Sequence, residues 1–207
     1  MMIAGLTGSI GMGKSTAADM LRDMQVPVHD SDEAARAMIG PDGPAVAAVA
    51  QLFPQAYDRG NNAIDRAILG PIVFADPAKR KMLEDIVHPY VRESQQVFIR
   101  EQKALGQRLI VLDIPLLYET EAEKRIDKVI VVTCPAFIQR RRVMSRPGMT
   151  EEKFQNILAS QMPDAEKRRR ADFVVQTGLG KAVTCCSLKK IIQELREGKR
   201  IFPSCRP

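Results

Sequence analysis

The sequence predicts an α/β fold, a five-stranded parallel sheet flanked by helices, and three observations carry that prediction. Short apolar runs alternate with amphipathic segments, which is the pattern of βα units. The run Val129-Ile130-Val131-Val132 is unbroken and β-branched, as strands buried on both faces are. A glycine-rich segment, Gly8 to Ser15, stands between an apolar run and a helix-like one. With 207 residues, 45% of them hydrophobic, the chain can fill one core of this kind and carry small additions to it.

In chain order, the predicted strands are residues 2–7, 26–30, 108–113, 127–134 and 172–176. The third, Leu109-Ile110-Val111-Leu112, ends at Asp113, and Pro115 then prevents regular continuation. A carboxylate at the carboxyl end of such a strand sits where open α/β sheets bind ligands. From about 33 to 106 the alternation gives way to helical segments with no convincing strand, too long for one crossover. That stretch reads as a helical lobe inserted between the second and third strands. A second, smaller insertion, at about 140–170, carries basic helices ahead of the last strand. The core is then about 1–32, 107–139 and 171–197, and the whole chain is a single domain with insertions. The tail Phe202-Pro203-Ser204-Cys205-Arg206-Pro207 suggests no role.

Gly8-Ser9-Ile10-Gly11-Met12-Gly13-Lys14-Ser15 matches G-x-x-x-x-G-K-[ST] at every fixed position. At average glycine abundance, a chance match in a chain of this size is on the order of one per cent. Ile3 to Leu6 leads in as a strand, and Thr16-Ala17-Ala18-Asp19-Met20-Leu21 leads out as a helix. Glycine permits the required turns and close approaches, and backbone N–H groups then converge on phosphates at a positive helix end. ATP is the expected phosphate donor. Gly11, Met12, Gly13, Lys14, Ser15 and Thr16 are its expected contacts, with Lys14 on the β- and γ-phosphates and Ser15 on Mg²⁺. No N-K-x-D base-reading element of a GTPase is present. No acidic pair closes the strand at Asp113, as one would in a motor ATPase. A small-molecule kinase suits the chain best.

The net charge of +6 and pI near 9.3 point to polyanionic partners. The dense basic runs, Arg140-Arg141-Arg142 and Lys167-Arg168-Arg169-Arg170, fall in helical segments and read most simply as solvated faces. A nucleic-acid-binding module is the non-enzyme alternative, but seven Phe and three Tyr are scattered and form no stacking platform. No stretch approaches a membrane span. The start, Met1-Met2-Ile3-Ala4, lacks a signal peptide's basic region, so a cytoplasmic protein is expected. Cys134, Cys185, Cys186 and Cys205 form no C-x-x-C pair, which suggests reduced thiols and no zinc site. Oligomeric state is not legible.

The second strand ends in Val28-His29-Asp30-Ser31-Asp32, followed by helix-like residues. These carboxylates are expected on a strand adjacent to the phosphate-loop strand, where one could take the proton of an attacking hydroxyl. Equally, Asp30 or Asp32 could cap the next helix. Here the sequence resembles the bacterial dephospho-coenzyme A kinases over nearly its whole length. The shared positions are Gly5-Leu6-Thr7-Gly8 through Thr16, Asp30-Ser31-Asp32, Ile64-Asp65-Arg66, Val73-Phe74 and Leu83-Glu84 before His88-Pro89. They continue with Asp113-Ile114-Pro115-Leu116-Leu117-Tyr118-Glu119, then Gln139, Arg142, Arg146, Gln161 and Ala171-Asp172.

The resemblance implies transfer of the ATP γ-phosphate to the ribose 3′-hydroxyl of dephospho-coenzyme A, with Asp32 as base, the helical insertion at about 33–106 as the substrate-binding part and the one at about 140–170 as a lid. It places Thr7, Asp32, Arg66, His88, Pro115, Leu116, Leu117 and Glu119 around the acceptor. Arg66 could instead pair with Asp65 at a helix start. His88 precedes Pro89, whose ring biases it out of the helical region; from the residues alone it reads as a capping or packed histidine. Arg142 and Arg146 are four apart on one helix face of the lid, and Arg142 aligns with the family's lid arginine. With Asp32 and Lys14, Arg142 completes the expected catalytic set. One departure stands out: where the family usually has Asn beside Gly after the last strand, this chain has Gln176-Thr177-Gly178. The alternative enzyme is another small-molecule P-loop kinase of the nucleotide or shikimate type.

Overall fold

The computed structural model describes residues 1–197. Cys205 and the tail from Phe202 lie outside the described residues. The chain divides into two compact units, one of 1–29 with 102 onward, the other Asp30–Glu101.

The first unit is built on β1 (Met2–Thr7), β5 (Leu109–Asp113), β6 (Lys128–Thr133) and β7 (Phe173–Gln176), with β2 (Val28–Asp30) completing a five-stranded sheet. The order is β2-β5-β1-β6-β7, and β1 pairs in parallel with both β5 and β6. Every residue of β5 is buried, and so are Ala4 to Thr7 of β1. Up to their last residues, Thr7 and Asp113, these runs carry no polar side chain because both faces are covered. The helices of this unit are α1 (Lys14–Asp23), α6 (Ala136–Met144), α7 (Glu151–Ala159), α8 (Asp164–Arg170) and α9 (Lys181–Glu197). Ala17, Ala18 and Leu21 of α1 and Leu188, Ile191, Ile192 and Leu195 of α9 share one core with the sheet.

All five strands lie within two residues of expectation, and two readings change. β2 does not neighbour β1, because β5 runs between them; the apolar β5 takes the buried place beside β1 and leaves the short β2 at the edge. The 139/140 boundary between core and lid falls inside the continuous α6.

The second unit holds α2 (Ser31–Met38), α3 (Val46–Leu52), β3 (Tyr57–Asp58), β4 (Ala63–Ile64), α4 (Arg66–Ala75) and most of α5 (Pro77–Ala104). Its own core gathers Val46, Val49, Phe53, Ile64, Leu69, Val87 and Val91. Contrary to the reading of a strandless segment, β3 and β4 form a small antiparallel hairpin. Asp58 closes its turn by accepting from the N–H groups of Gly60 and Asn61. Pro89 does not break α5, and His88 stays helical within it. Val87 and Val91, two residues from Pro89 on either side, are buried in the unit's core, so packing outweighs the local cost of the proline.

Candidate active site

The loop from Gly8 to Gly13 leaves the end of β1 and enters α1 without a side-chain cap. Gly13 occupies the cap position at φ 91°, a conformation that favours glycine. The first N–H groups of α1 are therefore left to an outside acceptor, which is what an anion site requires. Ser15 and Thr16 are exposed in that first turn. The Met12 side chain is buried and its sulfur accepts from the Cys134 N–H at 3.2 Å, so Met12 helps to hold the loop from within. Burial pushes the Cys134 thiol up, which keeps it protonated behind the loop.

Lys14 Nζ lies 2.7 Å from Asp113 Oδ1. The register Leu6↔Asp113 sets this carboxylate beside the end of β1, and it is 1% exposed. The sequence placed Asp113 where a ligand would bind and gave it no partner; the ion pair with Lys14 supplies one.

The turn after β5 is held from several sides. Thr7, fully buried, donates its hydroxyl to the Pro115 carbonyl at 3.0 Å. Leu117 is also fully buried, and a methyl group added at Gly5 would come within 2.6 Å of it. Thr7 and Leu117, expected to line an acceptor site, are both fully buried in the structure. Pro115 and Leu116 remain partly exposed. Glu119 accepts from the Met162 N–H at 2.7 Å and pairs with Lys167 at 2.8 Å. Lys167 is 0% exposed, so the basic run of α8 is not simply a solvated face. Phe154 and Val143 are also buried, which gives the 140–170 segment a packing role. Burial, followed by the charges of Asp172 and Glu123, pushes Tyr118 up to about 12, so its phenol is no proton acceptor near neutral pH.

Arg142 and Arg146 separate. The Arg142 guanidinium donates to Thr177 Oγ1 and to the Thr177 carbonyl, both at 2.9 Å, and more distantly to the Gly11 carbonyl. Thr177 in turn donates to the Met12 carbonyl at 2.6 Å. Arg146 is exposed, with no side-chain partner among the described residues. The departure at Gln176-Thr177-Gly178 is thus a working contact with the loop.

In the second unit, the Asp30 carboxylate caps α2, accepting from the N–H groups of Asp32 and Glu33 at 2.9 Å. Ser31 is buried and accepts from Gln95 Nε2 at 2.9 Å. Asp32 is exposed and has no side-chain partner among the described residues. Of the two roles open to the pair, Asp30 fills the cap. At α4 the Asp65 carboxylate caps the helix through the N–H groups of Ala67 and Ile68. Arg66 is exposed, and no Asp65–Arg66 ion pair is present among the described residues. His88 is partly exposed on α5.

The dephospho-CoA kinase family model (CoaE) matches residues 2–181. A dephospho-CoA kinase of Mesorhizobium japonicum is 50% identical over 196 residues, 95% of this chain and 98% of that protein. One from Paramagnetospirillum magneticum is 51% identical over 203 residues, 98% and 95% of the two chains. Among solved structures, TT1252 from Thermus thermophilus superposes with a TM-score of 0.79 at 38% identity, covering 94% of this chain and 97% of its own. A dephospho-CoA kinase from Campylobacter jejuni gives 0.70 at 27% identity, covering 95% and 98%.

Proposed function

The chain belongs to the dephospho-CoA kinase family, and from that membership we propose that it transfers the γ-phosphoryl group of ATP to the ribose 3′-hydroxyl of dephospho-coenzyme A. This is the last step of coenzyme A biosynthesis. The observation that carries the donor half is the uncapped N-terminus of α1 behind a glycine loop, with Lys14 beside it. Such a terminus offers fixed N–H dipoles to phosphate oxygens without reorganisation. Lys14 neutralises charge on the transferring group, moving between Asp113 and the phosphates.

For the acceptor half, Asp32 takes the proton of the attacking hydroxyl. What supports it is the division of labour at α2, where Asp30 caps the helix and the Asp32 carboxylate has no partner among the described residues. Arg66, His88, Pro115 and Leu116 are proposed to contact dephospho-coenzyme A. Ser15 and Asp113 present hard oxygen donors, which fit Mg²⁺, an ion usually completed by water and phosphate rather than by an all-protein cage. Held there, Mg²⁺ would draw the β- and γ-phosphate charge toward itself and leave the phosphorus more open to attack.

The two arginines divide as well. Arg142 braces the loop through Gly11 and Thr177, and Arg146 is free to meet the phosphoryl group. Arg146→Lys keeps the charge but loses the planar fork, so kcat falls, while Arg142→Lys chiefly weakens ATP binding. Equal changes in kcat and in ATP KM for the two variants would refute the division.

No helix among the described residues is long and apolar enough to cross a membrane; a cytoplasmic location is part of the proposal. The decisive experiment measures ATP consumption against a panel of acceptors, including dephospho-coenzyme A, shikimate and nucleoside monophosphates. Turnover with dephospho-coenzyme A alone is expected; preference for any other acceptor would overturn the assignment.

A further inference from the structure

The apex of the phosphate loop is a turn in which the Met12 N–H returns to the Ser9 carbonyl at 3.1 Å. Its third residue, Gly11, has φ 77°, the conformation that a type II turn demands there. Types I and II differ mainly in which way the central peptide faces, here the peptide joining Ile10 to Gly11. That choice matters, because a trans peptide points its C=O and its N–H in opposite directions. Turning the Ile10 carbonyl one way aims the Gly11 N–H the other.

Two glutamines grip Ile10. Gln139 of α6, itself 6% exposed, donates its Nε2 to the Ile10 carbonyl at 2.8 Å. Gln161, between α7 and α8, accepts from the Ile10 N–H through Oε1 at 3.0 Å. The partners fix both amide orientations, since a carbonyl only accepts and an N–H only donates. The fit around the turn is close: a methyl group at Gly11 would lie 2.5 Å from Val143 Cγ2. Gln161 is itself anchored, because the next residue, Met162, donates its N–H to Glu119.

We infer that Gln139 and Gln161 are positioning residues for phosphate binding: together they hold the Ile10–Gly11 peptide so that the Gly11 N–H is presented to the nucleotide phosphates. Neither touches the phosphates. The inference rests on the reading of Gly8–Ser15 as the ATP loop. It gives the two glutamines opposite chemical duties, one a donor and the other an acceptor.

That asymmetry makes the test. In the full-length chain, each glutamine is changed to Glu and to Met, and ATP KM, dephospho-coenzyme A KM, kcat and the thermal midpoint are measured. Glu keeps an acceptor and loses the donors, and Met has neither at similar volume. At position 161, Gln161→Glu retains near-normal ATP KM, and Gln161→Met raises it about tenfold. At position 139, Gln139→Met raises ATP KM roughly 10- to 100-fold, the effect of leaving a partly buried carbonyl unmet. Gln139→Glu is worse still, because a carboxylate then faces that carbonyl. Both Glu variants add the same charge near the loop, so general repulsion cannot produce opposite rankings at the two sites. Dephospho-coenzyme A KM stays within about threefold throughout.

The same ranking of Glu and Met at both sites would overturn the inference. So would losses in ATP KM that simply track the fall in thermal midpoint. If Gln139→Glu fails to fold, Gln139→Met against the two Gln161 variants still decides. A wild-type chain that did not bind ATP would instead remove the reading of the loop, a separate failure.

Discussion

In the loop at Gly8–Ser15 the carbonyls of Ile10, Gly11 and Met12 and the N–H groups of Ile10 and Met12 all have partners, drawn from the loop itself, α6, the 160–163 linker and Thr177. At the start of α2 the arrangement is sparser. Asp30 and Ser31 are fixed, and the carboxylate of Asp32, in the first turn of the helix, has no side-chain partner among the described residues. The difference follows from what each has to do. A phosphate site gains from dipoles that are already aimed before the ligand arrives. A proton acceptor needs an unoccupied lone pair, because a carboxylate already committed to protein N–H groups is a poorer base.

The most damaging change expected under this comparison is Asp32→Asn. Asn keeps the shape and removes the proton acceptor, so kcat falls by about 10²- to 10⁴-fold. ATP and dephospho-coenzyme A affinities change far less. Single-turnover measurement separates the chemical step from product release. A variant with near-normal kcat would return Asp32 to the role of a solvated helix residue.

Lys14→Ala attacks the other side. Loss of one fixed positive group on the transferring phosphoryl is expected to cost on the order of 10²- to 10³-fold in kcat/KM. A lysine that faced only ligand could be lost without cost to the fold. The structure adds a second effect: Asp113, 1% exposed, loses its ion-pair partner. A charged hydrogen bond of this kind contributes about 2 kcal/mol, so thermal unfolding should move down measurably. Unchanged stability with lost activity would mean that the Lys14–Asp113 pair is only a resting contact.

Much of this was legible in the sequence, for reasons that differ by region. The strands could be read because β5 and β6 are buried on both faces and so carry no polar interruption. The loop could be read because only its glycines permit the backbone it adopts. The β3–β4 hairpin was missed although Asp58-Arg59-Gly60-Asn61 is a turn signal, since strands of two residues leave no periodicity. Pro89 misled because a local bias was weighed without the burial of Val87 and Val91. Among site residues, Gln139 and Gln161 stood in the motif without a duty, because a side chain that holds a main-chain atom 129 or 151 positions away leaves no spacing to find. Lys167 was hidden within a basic run, where nothing in composition distinguishes a buried lysine from three exposed arginines. Thr7 and Leu117 were expected to face the acceptor and are fully buried, a feature that proximity in sequence does not reveal.

The smallest effect is expected at Asp30, and it sharpens the comparison most. If Asp30 serves α2 only as its cap, what matters is an oxygen that accepts from the N–H groups of Asp32 and Glu33. Asn provides that oxygen about as well as Asp. Asp30→Asn should therefore leave both kcat and stability close to wild type. Asp30→Ala removes the acceptor and should cost about 1 kcal/mol, or a thermal midpoint lower by about 2–4 °C in a chain of this length. Its effect on kcat should remain modest, arising only from a looser first turn beneath Asp32. The neighbouring carboxylates then give opposite results to the same substitution, Asn being harmless at 30 and severe at 32. Should Asp30→Asn instead reduce kcat more than Asp32→Asn does, the proton acceptor is Asp30, and the cap bonds seen here must break when substrate binds.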